Sequence, residues 1–122
     1  MQNDNRIDEV KACVHAYFTG MYQRDLSLLA DSFHPDAWLF GYINGEFERL
    51  SVAQWLDKLA QAPIPAERGE NFKMHIIAMD ITERIASVKV YNFLHDMAFI
   101  DYLSLLKTAD GWCIVNKTFA QF

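Results

Sequence analysis

Residues 99–122 constrain the fold more than any other stretch of this chain. They read Phe99-Ile100-Asp101-Tyr102-Leu103-Ser104-Leu105-Leu106-Lys107, then Thr108-Ala109-Asp110-Gly111, then Trp112-Cys113-Ile114-Val115-Asn116-Lys117-Thr118-Phe119. Two runs rich in β-branched and aromatic residues flank an Asp-Gly pair, which supplies the positive backbone angles a tight hairpin needs. Strand side chains alternate between faces, so Asp101 shares a face with Phe99, Leu103 and Leu105. A carboxylate in such a row sits at a sheet edge, is held by hydrogen bonds, or serves a function. The second run leaves its parity open. Lys117 faces inward if Val115 and Phe119 do, and Asn116 faces inward if Trp112 and Ile114 do. A single bulge switches one pattern to the other.

The rest of the chain is what packs on this hairpin. Ile7, Val10, Val14, Tyr17 and Met21 recur at helical spacing behind Asp4, a candidate cap, and Gly20 weakens the far end of that helix. Asp25 caps a short second helix, Leu26 to Ser32, and Pro35 makes His34-Pro35-Asp36-Ala37 a turn. Trp38 to Tyr42 is a strand that turns at Asn44-Gly45. Ser51 and Gln54 form a capping box for a third helix running to about Ala62. Phe72 to Ile81 and Ile85 to Leu94 are the strands that precede the organising hairpin. Helices early and strands late make an α+β domain spanning residues 1–122, a curved antiparallel sheet forming a cone closed by three helices.

The chain of 122 residues has a formal net charge of −5 and shows no basic stripe, which disfavours nucleic acid as a partner. No apolar run reaches membrane-spanning length, and residues 1–10 are polar and acidic. Cys13 and Cys113 match no metal spacing and the four histidines are scattered, so no metal or cofactor is expected. Two isolated cysteines suit a reduced, cytoplasmic setting. Hydrophobic residues make up 52% of the chain, a surplus that fits either a lined cavity or a buried interface as well as a large core.

Three segments carry a resemblance: Phe33-His34-Pro35-Asp36-Ala37, Pro63-Ile64-Pro65-Ala66-Glu67, and Asp101 to Lys107 leading into Gly111 to Lys117. Over essentially its whole length the chain resembles the nuclear transport factor 2-like, or cystatin-like, superfamily, and within it the lumazine-binding-type family. That resemblance implies the cone fold and a pocket. It does not select a reaction, because the fold hosts isomerases, dehydratases, polyketide cyclases and non-enzymatic modules.

Ketosteroid isomerase offers a comparison by residue. There a Tyr on the first helix and a neutral Asp on a late strand form an oxyanion hole. Tyr17 and Asp101 stand at the corresponding places and are the candidate catalytic pair. Burial favours the protonated form of a carboxyl, which can then donate a hydrogen bond beside a phenol. The isomerase also needs a base on its first strand, and the matching position here is Gly41. Phe33, Trp38, Trp55, Leu103, Val115, Lys117 and Phe119 are expected to line the pocket. The leading expectation is a binding domain for a small apolar or ring-containing molecule. An acid–base enzyme and a structural dimerisation module are the alternatives. The outward row Ile100, Tyr102, Ser104 and Leu106 is too apolar for water, which points to a homodimer through the outer sheet face.

Overall fold

The computed structural model describes residues 4–122. Its elements are α1 (Arg6–Gln23), α2 (Leu26–Ser32), β1 (Phe33–Ile43), β2 (Glu46–Ser51), α3 (Val52–Ala60), β3 (Met74–Thr82), β4 (Ile85–Leu94), β5 (Met97–Thr108) and β6 (Gly111–Gln121). The strands form one curved, unclosed sheet in the order β2-β1-β6-β5-β4-β3. β1 with β2, β3 with β4, β4 with β5 and β5 with β6 pair antiparallel, whereas β1 lies parallel to β6, so the sheet is mixed rather than wholly antiparallel, with β2 and β3 at its two edges. That parallel pair brings the first hairpin beside the last strand, a long-range pairing that no local pattern announces. Among the described residues no helix is long and apolar enough to cross a membrane, and no group of three or more His, Cys, Asp or Glu could hold a metal.

The helices form where apolar spacing and caps coincide. α1 buries Val10, Val14, Tyr17, Phe18 and Met21 against the concave face, while Ile7 remains exposed. Its N-cap is Asn5 without a side-chain bond, and Asp4 instead accepts from the Arg6 backbone N–H at 3.0 Å. Asp25 caps α2 through the Leu28 N–H, and Ser51 and Gln54 form the reciprocal capping box of α3. Gly20 has a packing role. A Cβ there would stand 2.6 Å from the Leu29 side chain, so the missing side chain lets α2 lie tightly on α1.

β1 begins earlier than expected and runs through Pro35. Regular pairing with β2 starts only at Trp38, and the register with β6 is irregular between Phe33 and Trp38. The proline therefore occupies a stretch where no ladder bond is lost. β4 and β5 alternate cleanly. Ala86, Val88, Val90 and Asn92 point to the core from β4, as do Phe99, Asp101, Leu103 and Leu105 from β5.

β6 alternates out of step with itself. Trp112 and Ile114 are buried, and so are Lys117 and Phe119. The break is a β-bulge: Leu105 pairs with Ile114 and Ser104 with Asn116, leaving Val115 as the extra residue. Both halves of the strand thereby face the core, and Lys117 is turned inward.

Gly41 lies where β1 presses on β6. A Cβ at this position would be 2.6 Å from the Phe119 ring and closer still to the Phe119 carbonyl oxygen. The obstacle includes backbone, which cannot rotate away. Gly41→Ala is therefore expected to destabilise the fold by about 1–3 kcal/mol through overpacking, read as a lowered denaturation midpoint. An unchanged midpoint would mean that β1 and β6 are not so closely apposed.

Candidate functional site

Asp101 is the centre of the buried polar groups. It is 1% exposed. Its Oδ2 accepts the Tyr17 hydroxyl at 2.6 Å and the Asn92 side-chain amide at 2.7 Å. Lys117 Nζ stands 4.0 Å from the same oxygen, an ion-pair distance longer than a hydrogen bond. Oδ1 is buried without a partner. The four side chains come from α1, β4, β5 and β6, and the sheet register explains the meeting. Asp101 pairs with Val90 on one side and Phe119 on the other. Asn92 and Lys117, each two residues away on a neighbouring strand, lie diagonally across the same face.

Lys117 is itself only 7% exposed. Its ammonium sits over three aromatic rings, 5.1 Å from the centre of Tyr17, 4.7 Å from Trp55 and 5.2 Å from Phe119. Burial holds the Lys117 amine below the usual lysine range, with the Asp101 charge opposing part of that shift. The Tyr17 phenol is pushed well above its ordinary value by burial, then by the Asp101 charge, so it stays a proton donor.

These groups adjoin a cavity of about 200 Å³ between α3 and the concave face. Its walls are mostly apolar and include Leu50, Trp55, Leu59, Leu94, Phe99 and Phe119. Asn92 and Lys117 line it directly, whereas Tyr17 and Asp101 are buried behind them. Glu48 and Lys58 pair with each other among the lining side chains. His95 also lines the cavity from the β4–β5 turn, where it and Asp96 have positive φ values of 52° and 62°. Burial lowers the His95 imidazole below its ordinary value, which favours the neutral ring, and its Nδ1 has no partner.

Of the residues expected at the pocket, Trp55, Lys117 and Phe119 line this cavity. Phe33 packs beneath it, with its ring centre 5.2 Å from that of Trp55, and Leu103 is fully buried core. Val115 is the bulge residue, and Trp38 faces the opposite side of the sheet, 37% exposed with the Arg49 guanidinium over its ring. Trp38 is outside because Ala37, Leu39 and Gly41 take the inward positions of β1. Asn92 and His95 had no place among the expected site residues. For Asn92 a signal existed: it continues the inward row Ala86, Val88, Val90 on β4, where a lone amide needs a partner. His95 gave none, because its reach into the cavity depends on the turn geometry.

The geometry departs from a paired-donor oxyanion hole. The Tyr17 hydroxyl is spent on Asp101 rather than aimed into the cavity, and Gly41, the position expected from sequence to match the isomerase base, is closed against Phe119.

Comparison with known proteins places the fold. Residues 5–120 match the family model described as "Putative lumazine-binding". The chain belongs to this family. Aldolase FrzH from Cladobotryum sp is 31% identical over 117 residues, covering 94% of this chain and 90% of that one. Among solved structures, a nuclear transport factor 2-like protein of unknown function from Methylobacillus flagellatus KT superposes with a TM-score of 0.85 at 23% identity, over 99% of this chain and 95% of its own. One from Silicibacter pomeroyi DSS-3 does so with a TM-score of 0.83 at 23% identity, over the full length of both chains. The nuclear transport factor 2-like, cystatin-like α+β fold is thus that of this chain.

The coupling of Lys117 to Asp101 is measurable. Lys117→Met leaves a buried carboxylate without its cation and is expected to cost about 3–5 kcal/mol. Adding Asp101→Asn should recover part of that loss, because the double variant removes both charges. Urea denaturation of the two single variants and the double variant checks this. Strictly additive losses would show that the pair does not interact.

Proposed function

We propose that this chain binds a small, largely apolar carbonyl compound in the cavity beside Lys117 and performs acid–base chemistry on it. The observation that carries the reading is the buried constellation of Lys117, Asn92, Asp101 and Tyr17 at one wall of an otherwise apolar cavity. Apolar walls hold the carbon skeleton, and a few convergent polar groups orient it, as in small-molecule sites generally. Lys117 and the Asn92 amide offer donors to a carbonyl oxygen, and His95 offers a base at the cavity wall. The similarity to a protein named an aldolase supports carbonyl chemistry, since an aldol reaction needs an activated carbonyl and a proton taken from the adjacent carbon.

The experiment is proton exchange in deuterated water with 2-tetralone, cyclohexanone and acetophenone as probes, followed by proton NMR. Wild-type protein should accelerate loss of the α-proton signal of at least one probe, and Asp101→Asn should reduce the rate by tenfold or more. Saturable binding without exchange would leave a plain binding domain. That second reading has its own support in the Tyr17 hydroxyl, which is turned to Asp101 and not to the cavity.

We also propose that the chain forms a homodimer through the outer sheet face. Tyr42, Phe47, Tyr102 and Leu106 are exposed there, with Tyr102 51% exposed, and a groove of about 340 Å³ runs between Phe47 and Ile100. Large apolar side chains in one patch favour a partner, and a copy of the same face is the simplest one. Sedimentation should find a dimer at micromolar concentration that Tyr102→Glu dissociates. A wild-type monomer would refute the interface. The two free cysteines accord with a reducing, cytoplasmic setting.

A further inference from the structure

We infer that Lys117 is an amine nucleophile whose Nζ condenses with an aldehyde or ketone in the cavity to form an imine. This rests on the carbonyl reading above and goes beyond it, since acid–base chemistry alone requires no covalent bond to the protein.

An ammonium is poorly served at this position. An ammonium carries three N–H donors. Here Nζ is surrounded by the rings of Tyr17, Trp55 and Phe119, and Asp101 Oδ2 is 4.0 Å away, beyond hydrogen-bond reach. The rings stabilise positive charge through their faces but accept no strong hydrogen bond. An iminium keeps the single positive charge and has only one N–H. Condensation therefore preserves the attraction to Asp101 and to the three rings while cutting the donors that need partners from three to one. Burial also raises the neutral fraction of the amine, which is the form that attacks a carbonyl.

The step balances. The ammonium gives one proton to a base in the site, and the nitrogen lone pair bonds to the carbonyl carbon as the C=O π pair moves to oxygen. A proton passes from the now cationic nitrogen to the oxygen, giving a neutral carbinolamine with a free nitrogen lone pair. The proton held by the base then converts the hydroxyl to water, the C–O bond breaks, and the nitrogen lone pair closes the C=N bond. One water leaves, and the ammonium charge reappears as the iminium charge. Asp101 faces the nitrogen throughout, and the adjacent C–H bonds of the bound compound become more acidic in the iminium.

Lys117 differs from the other lysine of the same cavity. Lys58 is 54% exposed along its side chain and paired with Glu48, so its amine is solvated and neutralised by a carboxylate in direct contact. It serves as an internal control.

The test is reductive trapping with cyanoborohydride at neutral pH, with 2-tetralone as the carbonyl and intact-mass and peptide analysis as the readout. The expected result is one saturable adduct per chain, on Lys117 and not on Lys58, reduced at least tenfold in Lys117→Arg. Circular dichroism checks that Lys117→Arg is folded. If it is not, Lys117→Met combined with Asp101→Asn takes its place. Thermal-shift and α-proton exchange measurements accompany the trapping. Binding and exchange without a Lys117 adduct overturn the imine and leave the acid–base reading standing. Labelling spread evenly over Lys11, Lys58, Lys73, Lys89 and Lys107 also overturns it. Absence of binding, exchange and adduct overturns both.

Discussion

A carboxylate that is 1% exposed has to be compensated by its surroundings, and the compensation of Asp101 ties this fold together. Its partners arrive from three elements other than its own: Tyr17 from α1, Asn92 from β4 and Lys117 from β6. Each bond therefore links a helix or a neighbouring strand to the middle of the sheet. The cluster is no greater source of stability than apolar packing of equal volume would be, because burying charge is costly. What it supplies is specificity of arrangement. A shift of α1 along its axis, or of β6 by one residue, would take one of these partners from the carboxylate.

The same cluster changes the chemistry available to a fold of this kind. In a paired-donor arrangement a phenol and a carboxylic acid both point at the bound oxygen. Here the phenol points at the carboxylate, and the carboxylate lies behind Asn92 and Lys117. A side chain is also shut out at Gly41 on the first strand, since none fits between it and Phe119. The polar centre of the cavity has moved to the amine of the last strand.

Much of this was legible from sequence, and the reasons differ by element. The β5 alternation put Asp101 inward with Phe99, Leu103 and Leu105, because a period of two is unambiguous over a long run. The caps of α2 and α3 were readable because capping is local chemistry within four residues. The parallel pairing of β1 with β6 was not readable, since it joins segments far apart in the chain. Pro35 misled because its ban from strands applies to paired backbone, and its stretch of β1 lies outside the regular ladder. Trp38 misled because a large aromatic residue carries no mark of which face it occupies until the inward glycine opposite Phe119 is known. The cavity wall at His95 depends on two left-handed backbone conformations at non-glycine residues, which composition does not reveal.

The bulge at Val115 has a consequence for how the chemistry of this cavity can change. β6 holds two phases of one alternation, joined at a defect in the backbone pairing. Slide that defect beyond Lys117 and both ends of the strand keep their facing, yet an asparagine amide replaces the lysine amine at the cavity wall. Neither Lys117 nor Asn116 would have been exchanged. The reactive group is thus selected by where a pairing fault sits, so the cavity could gain or lose its amine through substitutions elsewhere in the strand that merely reposition the fault.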